Sequence, residues 1–108
     1  MLVHVDALFN DNGEYKIAAL AAEHRLPTMT ANATFPARGG LISYGADTKD
    51  LNRQAGVYVA RILRGENPAN LPVVQPTSFA LRVNLKTAKA LGLAIPEPFL
   101  LLADEVIE

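Results

Sequence analysis

The sequence predicts an α/β chain organised around a parallel sheet. Three observations carry that prediction. Short apolar runs of strand length alternate with segments of helical periodicity. Gly, Pro, Asn and Asp punctuate the joins between them. The chain has 108 residues, half of them apolar, which suits one small domain with a modest core.

The elements follow in order. Leu2, Val3 and Val5, interrupted by His4, read as a strand over 2–5, followed by a polar loop over 6–13. Asn12 can cap a helix over 13–24, in which Ile17, Leu20, Ala21 and His24 share one face. A tight turn leads to a second strand over 27–30. Strand, helix and strand joined by short loops predict a βαβ unit with parallel strands and a right-handed crossover. Pro36, Gly39 and Gly40 mark 30–40 as a loop, and 41–44 reads as a third strand ended by Gly45. Asp47 caps a long helix that runs to Arg64, with Leu51, Ala55, Tyr58, Val59 and Ile62 at helical spacing and Gly65 at its C′ position. Residues 66–72 are a polar connector. The stretch 73–83 is strand-like, with Phe79, Leu81 and Val83 alternating, but Pro76 confines its first part to an edge or a bend. Asn84 caps a short helix over 85–91 that Gly92 stops. Pro96 and Pro98 predict a turn before the apolar 99–102 and an acidic, solvated tail over 104–108. The segments group as 1–46, 47–64 and 73–108 within one partial domain.

Composition excludes several classes. A formal net charge of −1, with ten Lys and Arg scattered along the chain, lacks the basic stripe that nucleic acid requires. No cysteine is present, so disulfides, a thiol nucleophile and a Cys-based zinc site are excluded. The N-terminus has no basic n-region followed by an apolar core, so it does not read as a secretory signal. No run approaches the roughly 20 apolar residues that span a bilayer.

In parallel sheets ligands sit beyond the carboxyl ends of strands. That rule selects 6–12, 31–38 and 45–47 as candidate ligand loops. Ser43 stands in Ile-Ser-Tyr-Gly, not in a nucleophile elbow, and reads either as a ligand hydrogen-bond donor or as an ordinary polar side chain. Tyr44 could line a pocket with its flat face or pack in the core. Tyr58 reads as core. Asp6 either binds an amine or solvates a loop, while Asp47 and Asp50 fit an acidic first helical turn. His4 and His24 lack any metal-binding spacing and read as structural. Gly39-Gly40 precedes a strand and is no phosphate loop; it supplies unusual dihedrals or a hinge. No pair of carboxylates has acid–base spacing, and no cofactor is indicated.

Several ordered runs resemble one family. They are Gly39-Gly40-Leu41-Ile42-Ser43-Tyr44-Gly45-Ala46-Asp47, Tyr58-Val59-Ala60-Arg61-Ile62-Leu63-Arg64-Gly65, Asn70-Leu71-Pro72-Val73 and Gln75-Pro76-Thr77. To these are added Val83-Asn84-Leu85-Lys86-Thr87-Ala88-Lys89-Ala90-Leu91-Gly92 with its continuation to Pro96, and the closing Ala103-Asp104-Glu105-Val106-Ile107. The resemblance is to ABC transporter substrate-binding proteins of the tryptophan/tyrosine-binding type. It implies a three-layer α/β/α, type I periplasmic-binding fold, of which this chain is the C-terminal part. It further implies an extracytoplasmic location, an amino-acid-like solute and delivery to an ABC permease. On the family's cleft loops it puts Asp6, Ala7 and Leu8, the 31–35 loop with Thr34 and Phe35, and Ser43, Tyr44 and Asp47. Two departures bear on the solute. The 33–38 loop lacks the acid that many members carry, and Ala46 stands where Pro is common.

The resemblance spans about the last third of a family member. Such a piece leaves apolar sheet and interlobe surface open, which predicts a homo-oligomer, with exchange of the C-terminal segment as one route. Two rivals remain at this point: an α/β domain that serves only to oligomerise, and a small α/β enzyme using Ser43, Asp6 or a histidine.

Overall fold

A computed structural model describes residues 1–4, 6 and 12–108. Its strands form one sheet in the order β1 (Leu2–Val3), β2 (Met29–Thr30), β3 (Ile42–Ala46), β4 (Phe79–Asn84) and β5 (Glu105–Ile107). The pairings β1–β2, β2–β3 and β4–β5 are parallel. The helices are α1 (Asn12–Glu23), α2 (Thr48–Leu63), α3 (Leu85–Ala90) and α4 (Glu97–Leu100). Short 3-10 turns occupy Pro36–Arg38 and Pro68–Asn70. The α/β class and the mostly parallel sheet are therefore as the periodicity predicted. The chain divides into two compact units, one made of Met1–Gly45 with Ala80–Glu108 and the other of Ala46–Phe79.

In the first unit the strand register sorts side chains by face. Leu2 pairs with Met29 and Met29 with Ile42, while Thr30 pairs with Ser43. Alternation then puts Thr30 and Ser43 on one face and Met29 and Tyr44 on the other. Thr30 and Ser43 are fully buried, whereas Leu2 (77% exposed) and Tyr44 (49%) are open on the opposite face. Helix α1 buries Glu14, Ala18 and Ala21, a stripe at i, i+4 and i+7. Ala18, Ala21, Phe35, Leu41, Ala80, Val83 and Ala88 form the core. Asn84 ties the unit together: its backbone N–H donates to Leu41 O (2.9 Å), its Nδ2 to Pro36 O (2.7 Å), and its Oδ1 accepts from Thr87 N (3.0 Å) at the start of α3.

The second unit is dominated by α2. Asp47 caps it, accepting from Lys49 N at 2.9 Å, a contribution of about 1 kcal/mol. Gly65 follows the C-cap residue Arg64 in the left-handed conformation, φ 99°. Arg53 and Gln54 donate to Asp50 and hold its carboxyl below the ordinary range; Arg61 does the same for Glu66. The amphipathic stripe is present, yet among the described residues no side chain of α2 is buried. Tyr58, expected in the core, is half-buried and donates its hydroxyl to Pro72 O. Together with Leu51, Gln54, Ala55 and Val74 it lines an open concavity. The stripe has the right spacing, but this short unit folds no second layer onto it.

Helices α1 and α3 shift by one residue from the sequence expectation, β2 is shortened to Met29–Thr30, and other boundaries differ further. β1 ends at Val3, and Val5 lies outside the described residues. β3 runs on through Gly45 to Ala46, because Gly45 lies flat against the backbone of Ala31. Only Phe79–Asn84 of the 73–83 stretch is a strand, since Pro76 cannot donate to a ladder. Residues 97–100 form a helical turn in place of a simple bend, with proline in its first turn, where the missing N–H costs nothing.

The largest difference is at the C-terminus. The tail acids are exposed, as expected, but Glu105–Ile107 also form β5, which pairs Arg82 with Glu105, Val83 with Val106 and Asn84 with Ile107. Asp104 accepts from Leu81 N (2.7 Å) and donates its own N–H to Leu81 O (2.8 Å); Glu105 pairs with Arg82 at 2.9 Å. Every acid but the last is interleaved with this ladder. Acidity hid a three-residue strand whose only apolar signal is Val106-Ile107.

Candidate functional site

Strand β2 ends at Thr30 and delivers the chain into the 31–41 loop; β3 returns from it. The β2–β3 register sets Ala31, the first loop residue, beside Tyr44 and Gly45. At the carboxyl end of β1, Leu2, Val3, His4 and Ala31 line an open, largely apolar concavity of about 240 Å³. The strand-end rule thus leads to a loop and a hollow within one unit.

The loop is held at both ends. Near its start, Asn32 Nδ2 donates to Glu14 Oε1 at 2.6 Å, and Thr34 Oγ1 lies 3.1 Å from Glu14 Oε2. At its far end Arg38 Nη1 meets Glu14 Oε2 at 2.8 Å, with the guanidinium 5.5 Å from the centroid of the Tyr15 ring. On the other side Thr87 Oγ1 donates to Gly39 O (3.0 Å), and Asn84 Nδ2 to Pro36 O. Between these anchors Phe35 is wholly buried. A Cβ on Gly40 would fall 2.1 Å from the Phe35 ring, so only glycine lets that ring lie against the chain. Gly39 adopts φ 98° as the 3-10 turn ends. The unusual dihedral expected of Gly39-Gly40 is present, and it serves packing.

The residues singled out in the sequence fare differently. Thr34 is exposed on the loop and Tyr44 is half-exposed on β3. Asp6 is exposed beyond β1. Ala7 and Leu8 lie outside the described residues. Phe35, expected to face a ligand, packs in the core; its complete burial leaves no ring face for a solute. Ser43 Oγ is buried without a hydrogen-bond partner among the described residues, so no base activates it and it does not reach the surface as a donor. Asp47 belongs to the second unit, where its carboxylate caps α2.

One residue was missed: Glu14 organises the loop, and the available signal was a carboxylate at the head of an otherwise alanine-lined stripe. His4, read as structural, is exposed and forms part of the concavity wall. Among the described residues no three His, Cys, Asp or Glu are grouped to hold a metal ion, and no helix is long and apolar enough to cross a membrane.

Comparison with known proteins agrees with this fold. Residues 1–107 match the model of the family described as ABC transporter substrate binding protein. A conserved domain protein from Vibrio cholerae O1 biovar El Tor superposes with a TM-score of 0.89 at 28% identity, over 97% of this chain and 35% of that one. An ABC domain from Streptococcus pneumoniae, solved in complex with L-Trp, gives 0.83 at 28% identity, over 98% of this chain and 36% of its own. The ligand-free, open structure of a Clostridium difficile substrate-binding protein with adhesive properties shares the fold, with a TM-score of 0.68 at 24% identity over 98% and 35%. The chain thus spans about a third of each of these structures. No curated protein matches it.

Proposed function

We propose that this chain, which belongs to the ABC transporter substrate-binding protein family, forms one wall of a solute site, and that the solute is an amino acid with an aromatic side chain. The single observation that carries this reading is the anchored 31–38 loop at a strand end, next to an apolar hollow lined by Leu2, Val3, His4 and Ala31. Rigid polar groups beside an apolar hollow suit a small amphiphile. In this reading Thr34 and Tyr44 contact the solute, Asp6 supplies charge at the mouth, and Ala7 and Leu8 join on the family pattern alone. The related Streptococcus pneumoniae domain, solved with L-Trp, supports the aromatic class. The role is binding and not catalysis: the protein carries its solute outside the cytoplasmic membrane and hands it to an ABC permease.

Calorimetric titration of the chain with a panel of amino acids tests the proposal. The expected result is saturable binding of an aromatic amino acid, weakened about fivefold in Tyr44→Ala, since one aromatic contact contributes about 1 kcal/mol. A folded chain that binds no member of the panel, both alone and grafted in place of the matching segment of the related Streptococcus pneumoniae domain, overturns it.

We also infer that the chain self-associates. Met1 (56% exposed), Leu2 (77%) and Met29 (37%) adjoin on one face at the sheet edge and leave an apolar patch that a second copy would cover. Light scattering over a concentration series should give a mass above that of one chain; a monomeric mass at every concentration rejects the idea.

A further inference from the structure

We propose that Glu14 is the positioning residue of the solute loop, and that it turns the Thr34 hydroxyl into a hydrogen-bond acceptor for the ammonium group of the solute. The second half of this proposal rests on the solute-binding reading above.

Glu14 sits where a core alanine would be expected. It heads the stripe that continues with Ala18 and Ala21 and is 5% exposed. A buried carboxylate is costly unless it is paired and hydrogen-bonded. Among the described residues its side chain bonds three points of the 32–38 segment: Asn32 near the start, Thr34 in the middle and Arg38 at the end. Oε1 takes Asn32, and Oε2 takes both Thr34 and Arg38. One side chain therefore clamps three points of the loop to the first turn of α1.

The clamp also fixes a polarity. Because Asn32 Nδ2 donates to Glu14, the other end of that amide is the acceptor Oδ1, which takes Thr34 N at 3.3 Å. Thr34 Oγ1 then has two inward neighbours, Glu14 Oε2 at 3.1 Å and Asn32 Oδ1 at 3.2 Å, and both are acceptors. A hydroxyl has a single proton, and here it must point inward to one or the other. What Thr34 offers on its exposed side is lone pairs. Such an atom receives N–H groups and repels a carboxylate, so the loop selects the protonated amine end of an amino acid. Arg38, drawn to Glu14 and lying over Tyr15, offsets the buried charge without reversing this preference.

The experiment has two arms on the intact chain. Amide hydrogen exchange is compared between the parent, Glu14→Gln and Glu14→Ala. In Glu14→Ala the amides of Thr34 and Arg38 should exchange at least about tenfold faster, while those of Ala18 and Ala21 in α1 stay unchanged. Glu14→Gln, which keeps an acceptor but loses the charge, should fall between. Unchanged loop exchange, or loop and helix accelerating together, overturns the positioning role. In the second arm L-tryptophan and indole-3-propionate, which lacks the ammonium group, are titrated into the parent and Thr34→Val. The substitution should weaken L-tryptophan about tenfold, the worth of a hydrogen bond to a charged group, and leave indole-3-propionate unaffected. Equal losses for both probes overturn the ammonium assignment. If neither the parent nor its graft into the Streptococcus pneumoniae domain binds either probe, the solute-binding reading fails and the ammonium assignment with it, while the exchange arm still decides the role of Glu14.

Discussion

Replacing Phe35 with alanine should destabilise the protein by about 3–5 kcal/mol, the cost of emptying a large aromatic site in a core that cannot close over it. The inability to close is specific to this molecule. Among the described residues the buried apolar side chains include four alanines, Ala18, Ala21, Ala80 and Ala88, too short to collapse into the gap. Phe35 is the largest fully buried side chain among the described residues. A domain of this size is stable by only about 5–15 kcal/mol in total. The substitution should therefore remove a large share of that stability, visible as a lowered urea midpoint by circular dichroism. A loss below about 1 kcal/mol would mean that Phe35 is not the keystone of this core. Because Phe35 lies between the loop's two anchors, solute binding should weaken with it, although its ring never meets the solute.

Gly45→Ala should cost about 3 kcal/mol, at the upper end of what one added methyl does in a packed site. Its Cβ would lie 2.3 Å from Ala31 O, with the Ala31 carbonyl carbon and Cα at 3.1 and 3.2 Å. These are backbone atoms, and no rotamer change can relieve the clash. Relief requires β3 to move away from the end of β2, where the candidate loop begins. Denaturant unfolding should show the loss, and amide exchange at Ala31 and Asn32 should rise with it. A variant as stable as the parent would show that β2 and β3 do not approach this closely.

Much of this fold was legible because it is written in local chemistry. Asp47, Asn84 and Gly65 occupy cap positions that depend only on the residues next to them, and each does what its type and place predict. The βαβ start and the long amphipathic helix are likewise matters of short-range periodicity. β5 was not legible, because its stability comes from a ladder to β4 some twenty residues away, and Asp104 and Glu105 read as surface until their partners Leu81 and Arg82 are known.

The candidate site divides along the same line. Strand ends pointed to the 31–38 loop, and runs such as Gly39–Asp47 pointed to the family. Which side of the loop each residue faces was not legible. Phe35 and Thr34 are neighbours in the sequence, both suited to a pocket, yet one is wholly buried and the other exposed. The role of Glu14 rests on partners 18 and 24 residues away, beyond the reach of local patterning.

By itself, then, the sequence determined the α/β class, the helix limits set by Asp47, Asn84 and Gly65, and the family. Only the tertiary structure decided that a carboxylate on α1 holds the 32–38 loop, that Phe35 turns inward, and that the acidic tail is a strand. The physical reason is range. Caps and periodicity act within a few residues, whereas a buried ion pair, a ring packed on glycine and a parallel ladder exist only when distant segments meet.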